Sequence, residues 1–206
     1  FKMKLGLIDL NTGNLASLES AMRKLDISFK ICKNSFDFDG VEKIILPGVG
    51  AFKDFMDKIK KKNIDKIIRD KYEKKIPILG ICVGFQVLLT NSSEHGLSNG
   101  LGILEGNIIN FQEIDKSIPI PHVGWNDCKI KSENNLFYKI EDKSDFYFTH
   151  SYFLKNCNQE NIISTTNYKT NFISAIQKNN LYGVQFHPEK SQENGLKILK
   201  NFNERC

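Results

Sequence analysis

Short apolar runs rich in β-branched residues alternate with longer amphipathic segments through the first half of the chain. That alternation commits it to a parallel sheet covered by helices. Residues 4–9 read as a strand. After the turn Asn11-Thr12-Gly13, Asn14 is placed to cap a helix in which Leu15, Leu18, Met22 and Leu25 recur at helical spacing. Residues 28–32 and 43–46 read as the second and third strands, the latter stopped by Pro47-Gly48. Amphipathic helical sequence fills 51–75 with a break near Asn63, a wholly apolar fourth strand spans 77–81, and 83–89 reads as a buried helix leaving it.

From Gly102 onward the texture changes to short strand-like pieces at 103–111, 128–131, 145–150, 162–166, 172–177 and 181–186, punctuated by Gly, Asn and Pro. These predict antiparallel additions to the same sheet. Ser191 starts a closing helix with Leu199, Phe202 and Cys206 along one stripe. The expected fold class is α/β: an open, mostly parallel central sheet with helices on both faces and antiparallel additions in the C-terminal half. With 206 residues, no repeat and no linker, one domain over 3–206 is expected, Met3 being the natural start and residues 1–2 a leftover.

Composition excludes several functions. Apolar residues make up 40% of the chain, too many for disorder, and no run approaches the roughly 18 residues of a membrane span. No secretory leader is recognised, and the five cysteines are odd in number, scattered and without a C-x-x-C pair. A reducing cytoplasm is therefore expected, with no metal site. The net charge of +5 is modest, and its densest basic run, between Asp57 and Lys75, is diluted by Asp57, Asp65, Asp70 and Glu73. With only Arg69 and Tyr72 to offer a guanidinium or a stacking ring, that run reads as a solvated helical face and no nucleic-acid partner is expected.

Three segments can carry chemistry. Gly80-Ile81-Cys82-Val83-Gly84 has the shape of a nucleophile elbow with sulfur in place of oxygen, set between a strand and a helix whose N-terminus would favour a thiolate. A small buried core residue is the alternative for Cys82. His187-Pro188-Glu189 offers a base and a carboxylate to orient it, because residues i and i+2 of an extended segment share a side. Pro47-Gly48-Val49-Gly50 ends another parallel strand, where glycines let backbone N–H groups face a developing oxyanion. Each is weak alone.

Together and in this order, Pro47-Gly48-Val49-Gly50, Gly80 to Gln86 and Tyr182 to Glu189 resemble the three signatures of class I, triad-type glutamine amidotransferases. The fold implied is the flavodoxin-like one of that class. Within it, the chain is similar to the glutaminase subunits of imidazole glycerol phosphate synthases in residues 9–14, in Pro121-His122-Val123-Gly124-Trp125-Asn126, in Tyr147 to Tyr152 and in Lys190-Ser191. It departs at Leu10-Asn11, where Tyr-Gly is frequent, and at Val83 and Phe85, where Leu and Met are.

The resemblance implies that Cys82 attacks the carboxamide of L-glutamine, His187 moves the proton and Glu189 orients His187. Val49, Gly50 and Val83 would form the oxyanion site, after rearrangement at Val49. Gln86, Glu94, Ser151 and Tyr152 would hold the amino acid end of the substrate, with a solvated loop carboxylate beside His95 as the alternative for Glu94. Asn14, Trp125, Tyr147 and Lys190 would meet a (βα)8-barrel cyclase in a heterodimer, with core aromatics as the alternative for Trp125 and Tyr147. His122 and His150 are expected to be structural, and no cofactor is implied. Rival readings keep the glutaminase and change the acceptor, drop catalysis for a purely interacting subunit, or make the chain a cysteine peptidase.

Overall fold

The computed structural model describes residues 4–13, 15–131 and 134–206. Asn14, expected to cap the first helix and to meet a partner, lies outside the described residues. The first half runs β1 (Leu5–Ile8), α1 (Leu15–Lys24), β2 (Phe29–Cys32), β3 (Lys43–Gly48), α2 (Phe52–Lys61), α3 (Ile64–Glu73), β4 (Ile78–Cys82) and α4 (Val83–Gln86). The second half adds β5 (Asn91–Ser92), β6 (Ser98–Asn99), β7 (Asn107–Asn110), β8 (His122–Ile130), β9 (Ser144–His150) and β10 (Tyr152–Asn156). It closes with β11 (Ile162–Tyr168), β12 (Thr170–Lys178), β13 (Leu181–Val184) and α5 (Gln192–Arg205).

The strands lie in the order β2-β1-β3-β4-β13-β12-β10-β7-β5-β6, with β11 joining β12 to β8 and β8 pairing β9. The five strands from β2 to β13 are mutually parallel. The step from β1 to β2 and the step from β3 to β4 move in opposite directions along the sheet. Right-handed crossovers therefore put α1 and the α2–α3 pair on opposite faces. α5 packs against α1, while α2 packs against α3 and α4. Both faces of the parallel core are thus covered, which is why β1 and β4 are buried at every position. Asn63, in the left-handed region at φ 56°, makes the expected break between α2 and α3. The basic run falls on these two exposed helix faces, where Lys53 meets Asp57 and Lys74 meets Asp70.

Several expectations change. β3 does not stop at Pro47-Gly48 but continues through both, pairing Pro47 with Ile81 and Gly48 with Cys82. Its pairing with β1 ends at Ile45, so Pro47 sits on a local edge where a missing N–H costs no ladder bond. The helix after β4 is one turn, Val83–Gln86, and does not reach Leu89. The carbonyls of Val87, Leu88 and Leu89 accept instead from the amides of Leu101, Ile103 and Gly102, a long-range pairing that local periodicity cannot reveal. With so short a helix, the dipole argument for a thiolate at Cys82 loses most of its force.

The strand expected at 181–186 ends at Val184 and is parallel to β4, antiparallel only to β12. β8 begins six residues earlier than the strand expected from Cys128, because it pairs with β9 from His122↔His150 to Cys128↔Ser144. The cross-strand partner rather than apolar alternation makes this strand. β7 is only Asn107–Asn110 within the longer run expected, while β5, β6 and β10 were not anticipated. The cysteines are all free. Among the described residues no helix is long and apolar enough to cross a membrane.

Candidate active site

The ends of β3, β4 and β13 converge on a cavity of about 410 Å³ lined by Val49, Gly50, Cys82, Val83, Glu94 and His187, among others. Cys82 is the last residue of β4 and adopts φ 54°, ψ −114°, a strained backbone for a side chain. The turn is possible because glycines surround it. A Cβ on Gly84 would fall on the Leu46 carbonyl, and one on Gly80 would come within 2.6 Å of the Phe85 Cα. The result holds the Cys82 sulfur at the cavity wall with the side chain only 4% exposed.

His187 reaches the same cavity from beyond β13. Its Nδ1 lies 2.8 Å from Glu189 Oε1, and both side chains are buried. The contact does not arise from an extended segment as expected. Pro188–Lys190 forms a 3-10 turn, closed by the Lys190 amide on the His187 carbonyl and by the Ser191 hydroxyl, which donates to that carbonyl at 2.6 Å. With Nδ1 committed to Glu189, Nε2 is the ring nitrogen left for Cys82, which lines the same cavity. Burial opposes a charge on this ring, but Cys82 and Glu189 outweigh it and push His187 up to about 10. The site thus concentrates a sulfur, a proton carrier and an orienting carboxylate.

The remaining expected residues fall into two places. Val49 and Gly50 line the cavity beside Cys82, and Gly50 has φ 97°, a conformation that glycine alone adopts freely. Val83 is the first residue of α4, so its N–H has no acceptor within the helix. Gln86, Glu94, Ser151 and Tyr152 line the same cavity. Glu94 accepts from the Phe52 N–H at 2.6 Å through Oε2. Trp125, Tyr147 and Lys190 lie outside the cavity lining. Trp125 is 48% exposed, its ring meets Tyr147 edge-on at 6.0 Å, and Lys190 Nζ lies 5.6 Å over the Tyr147 ring. These two aromatics are therefore surface groups on β8 and β9 rather than core. Tyr147 also touches the site through its backbone, since its carbonyl accepts from the His187 N–H at 2.9 Å.

Sequence reasoning passed over Gln185 and undervalued the histidine pair. Gln185 is fully buried and its Nε2 lies 3.7 Å from Cys82 Sγ. Its position two residues before His187, inside a motif already singled out, was the available signal. His122 and His150 form an ordered relay. The Tyr152 carbonyl can only accept, so His150 Nδ1 donates to it at 2.8 Å. His150 Nε2 then accepts from His122 Nδ1 at 3.0 Å, and Asn126 Nδ2 approaches His122 Nε2 at 3.3 Å. A further proton on either ring would set N–H against N–H.

Burial lowers both rings, His122 to about 4 between the stacked rings of Phe148 and Tyr168, and His150 to about 3. Both stay neutral when folded but protonate when unfolded below their ordinary 6.5. Their stabilisation is complete above that value and is lost as pH falls toward 4 and 3. Each should withdraw about 2 kcal/mol at about pH 5. His187 has the opposite sign: its contribution is complete below 6.5 and is lost as pH rises through about 10. Urea unfolding should therefore give a lower midpoint at about pH 5 than at neutrality; an equal or higher midpoint would count against the neutral relay.

The class-I glutamine amidotransferase family model matches residues 6–206. The chain is 41% identical over 199 residues to imidazole glycerol phosphate synthase subunit HisH 1 of Campylobacter jejuni, covering 96% of this chain and 98% of that protein. It is 43% identical over 200 residues to subunit HisH of Methanocaldococcus jannaschii, covering 96% and 97%. A crystal structure of a glutamine amidotransferase from Thermotoga maritima shares the fold, with a TM-score of 0.69 at 16% identity over 98% of this chain and 83% of that one. By its sequence signatures over nearly its whole length, the chain belongs to the class-I glutamine amidotransferase family and, within it, to the HisH subunits.

Proposed function

We propose that this chain, a single amidotransferase domain over 3–206, hydrolyses L-glutamine and delivers the ammonia to a (βα)8-barrel cyclase that makes imidazole glycerol phosphate in histidine biosynthesis. The observation that carries the chemistry is Cys82 and His187 on the wall of one cavity, with the buried Glu189 carboxylate 2.8 Å from the His187 ring. Cys82 surrenders its proton to His187, and the sulfur attacks the carboxamide carbon. The oxyanion that forms is placed for the N–H groups of Gly50 and Val83, once the Val49 loop turns toward it. His187, held by Glu189, gives its proton to the departing nitrogen, the C–N bond breaks and ammonia leaves a γ-glutamyl thioester. His187 then takes a proton from water, the hydroxide displaces the sulfur, and glutamate and the free thiol are restored.

The cavity suits a free amino acid. Glu94 keeps Oε1 as a second carboxylate oxygen for an ammonium group, and Gln86, with Nε2 committed to the Tyr152 carbonyl and to Gln185, presents Oε1 as an acceptor. Ser151 and Tyr152 line the same cavity. The names of the curated relatives support histidine biosynthesis as the destination of the ammonia and a second chain as its receiver. Cytoplasmic residence follows from that metabolism.

The deciding experiment is copurification with candidate barrel cyclases followed by a glutaminase assay with the pathway precursor present. Hydrolysis should be slow for the isolated chain and rise sharply with the cyclase; equal turnover with and without it would sink the gating. The half-exposed Trp125, with Val123 beside it on β8, is the natural anchor for that cyclase. Trp125→Ala should weaken the complex about tenfold or more by calorimetry while Cys82 remains equally open to alkylation. A complex of unchanged affinity would move the interface elsewhere.

A further inference from the structure

A buried amide seldom faces a nucleophilic sulfur without effect, and here its orientation is fixed by its neighbours. The Tyr152 carbonyl accepts from His150 Nδ1 at 2.8 Å and from Gln86 Nε2 at 3.0 Å. A carbonyl offers only lone pairs, so Gln86 must present its NH2 there. The same Nε2 lies 3.0 Å from Gln185 Oε1, which must therefore be the acceptor end of Gln185. That leaves Gln185 Nε2 on the other side, 3.7 Å from Cys82 Sγ. Reversing the Gln185 amide would set NH2 against NH2 at one end and a carbonyl oxygen against the sulfur at the other. The Gln185 main chain is pinned too, its N–H donating to the Ser174 carbonyl at 2.9 Å on β12.

The geometry points to Gln185 as a further catalytic residue: an N–H donor locked onto the Cys82 sulfur that stabilises negative charge there and holds the side chain in line for attack. The inference rests on the reading of Cys82 as the nucleophile. It supplies what the one-turn helix α4 does not, a directed dipole at the sulfur from the side opposite in sequence to the elbow. A hydrogen bond to a charged acceptor is roughly twice as strong as a neutral one, so the contact strengthens as the thiol proton leaves for His187. It weakens again when the sulfur bonds to carbon and strengthens once more as water displaces the thiolate. The residue contributes through charge at sulfur, not through substrate affinity.

The test is the rate at which iodoacetamide alkylates Cys82 in the full chain at neutral pH, followed at the Cys82 peptide by mass spectrometry. Gln185→Met fills a similar volume without an N–H. Gln185→Glu keeps an acceptor for Gln86 Nε2 and puts an oxygen toward the sulfur. Alkylation should slow about tenfold or more in both, and kcat for glutamine should fall by a similar factor with KM nearly unchanged. Folded variants that alkylate and turn over like the wild type overturn the proposal, and so does a raised KM with unchanged kcat, which would assign Gln185 to substrate binding through Gln86. The Gln185 side-chain amide resonance, compared between the wild type and Cys82→Ala, gives a readout that needs no substitution at 185; an unmoved resonance also overturns the contact. Alkylation involves no glutamine, so failure here is distinct from failure of the nucleophile reading, which a glutamine-hydrolysing Cys82→Ala chain would reveal.

Discussion

Cys82→Ala should abolish glutamine-dependent synthesis by the assembled enzyme, lowering glutamine turnover by about a thousandfold or more, while synthesis from added ammonium salts by the cyclase continues. The size of the loss follows from the covalent route. Without sulfur, the carboxamide must be attacked by water directly, and His187 and the backbone donors can only assist that slower reaction. The fold should tolerate the change, because the strained turn at φ 54° depends on Gly80 and Gly84 and on the Gly48 to Cys82 pairing rather than on the sulfur. Removing a side chain that is 4% exposed leaves a small void at a cavity wall, where it is cheapest. A complex that loses ammonium-dependent synthesis along with glutamine-dependent synthesis, at unchanged subunit stoichiometry, would contradict the division of labour between the two chains.

The parts of this site legible in the sequence are those in which local sequence and local geometry coincide. The elbow is one, since glycines on both sides of Cys82 are required by steric contacts with Leu46 and Phe85 that any such turn would create. The His187-Pro188-Glu189 contact was also legible in outcome, though for the wrong geometric reason: a proline-started 3-10 turn, not an extended strand, brings Nδ1 to the carboxylate. What escaped was non-local. The helix after Cys82 ends early because residues 101–103 take its carbonyls. β8 starts at His122 because β9 lies beside it. The Gln86 to Gln185 contact joins side chains 99 positions apart, and the His122 to His150 contact joins rings 28 apart. Apolar spacing carries no information about which buried polar groups will find each other, only that some must.

That asymmetry bears on how the surface communicates with the chemistry. Trp125 and Tyr147 pair across β8 and β9, and the Tyr147 main chain is bonded on one side to the His187 N–H and on the other to the Ser191 hydroxyl, 2.9 Å from the Tyr147 nitrogen. The same hydroxyl donates to the His187 carbonyl. Through the proposed interface, a displacement of β9 would therefore reach the His187 backbone directly at the Tyr147 carbonyl and indirectly by way of the Ser191 hydroxyl. The Asn126 to His122 to His150 relay starts from the same strand pair and ends at the Tyr152 carbonyl that orients Gln86. Packed rings hold both histidines of this second route in place.

Glu189→Gln should lower kcat about a hundred- to ten-thousandfold with little change in KM, a loss of about 3 to 5 kcal/mol of transition-state stabilisation. The substitution is nearly isosteric, so the 3-10 turn and its Ser191 bonds remain and the effect isolates charge and proton position. In the native site, Cys82 and Glu189 together overcome the burial that opposes a charged His187. Without the carboxylate, burial has less to oppose it and the imidazolium that must protonate the leaving nitrogen becomes costly. A neutral amide can also present NH2 to Nδ1, which would drive the ring proton to the nitrogen facing Cys82 and remove the base. NMR titration of His187 should accordingly move down from about 10 in the variant, in parallel with the loss of kcat. A variant that keeps kcat within tenfold of the wild type, or whose His187 titrates unchanged, would show that Glu189 only fills space, and the proton would then have to be held by Cys82 alone.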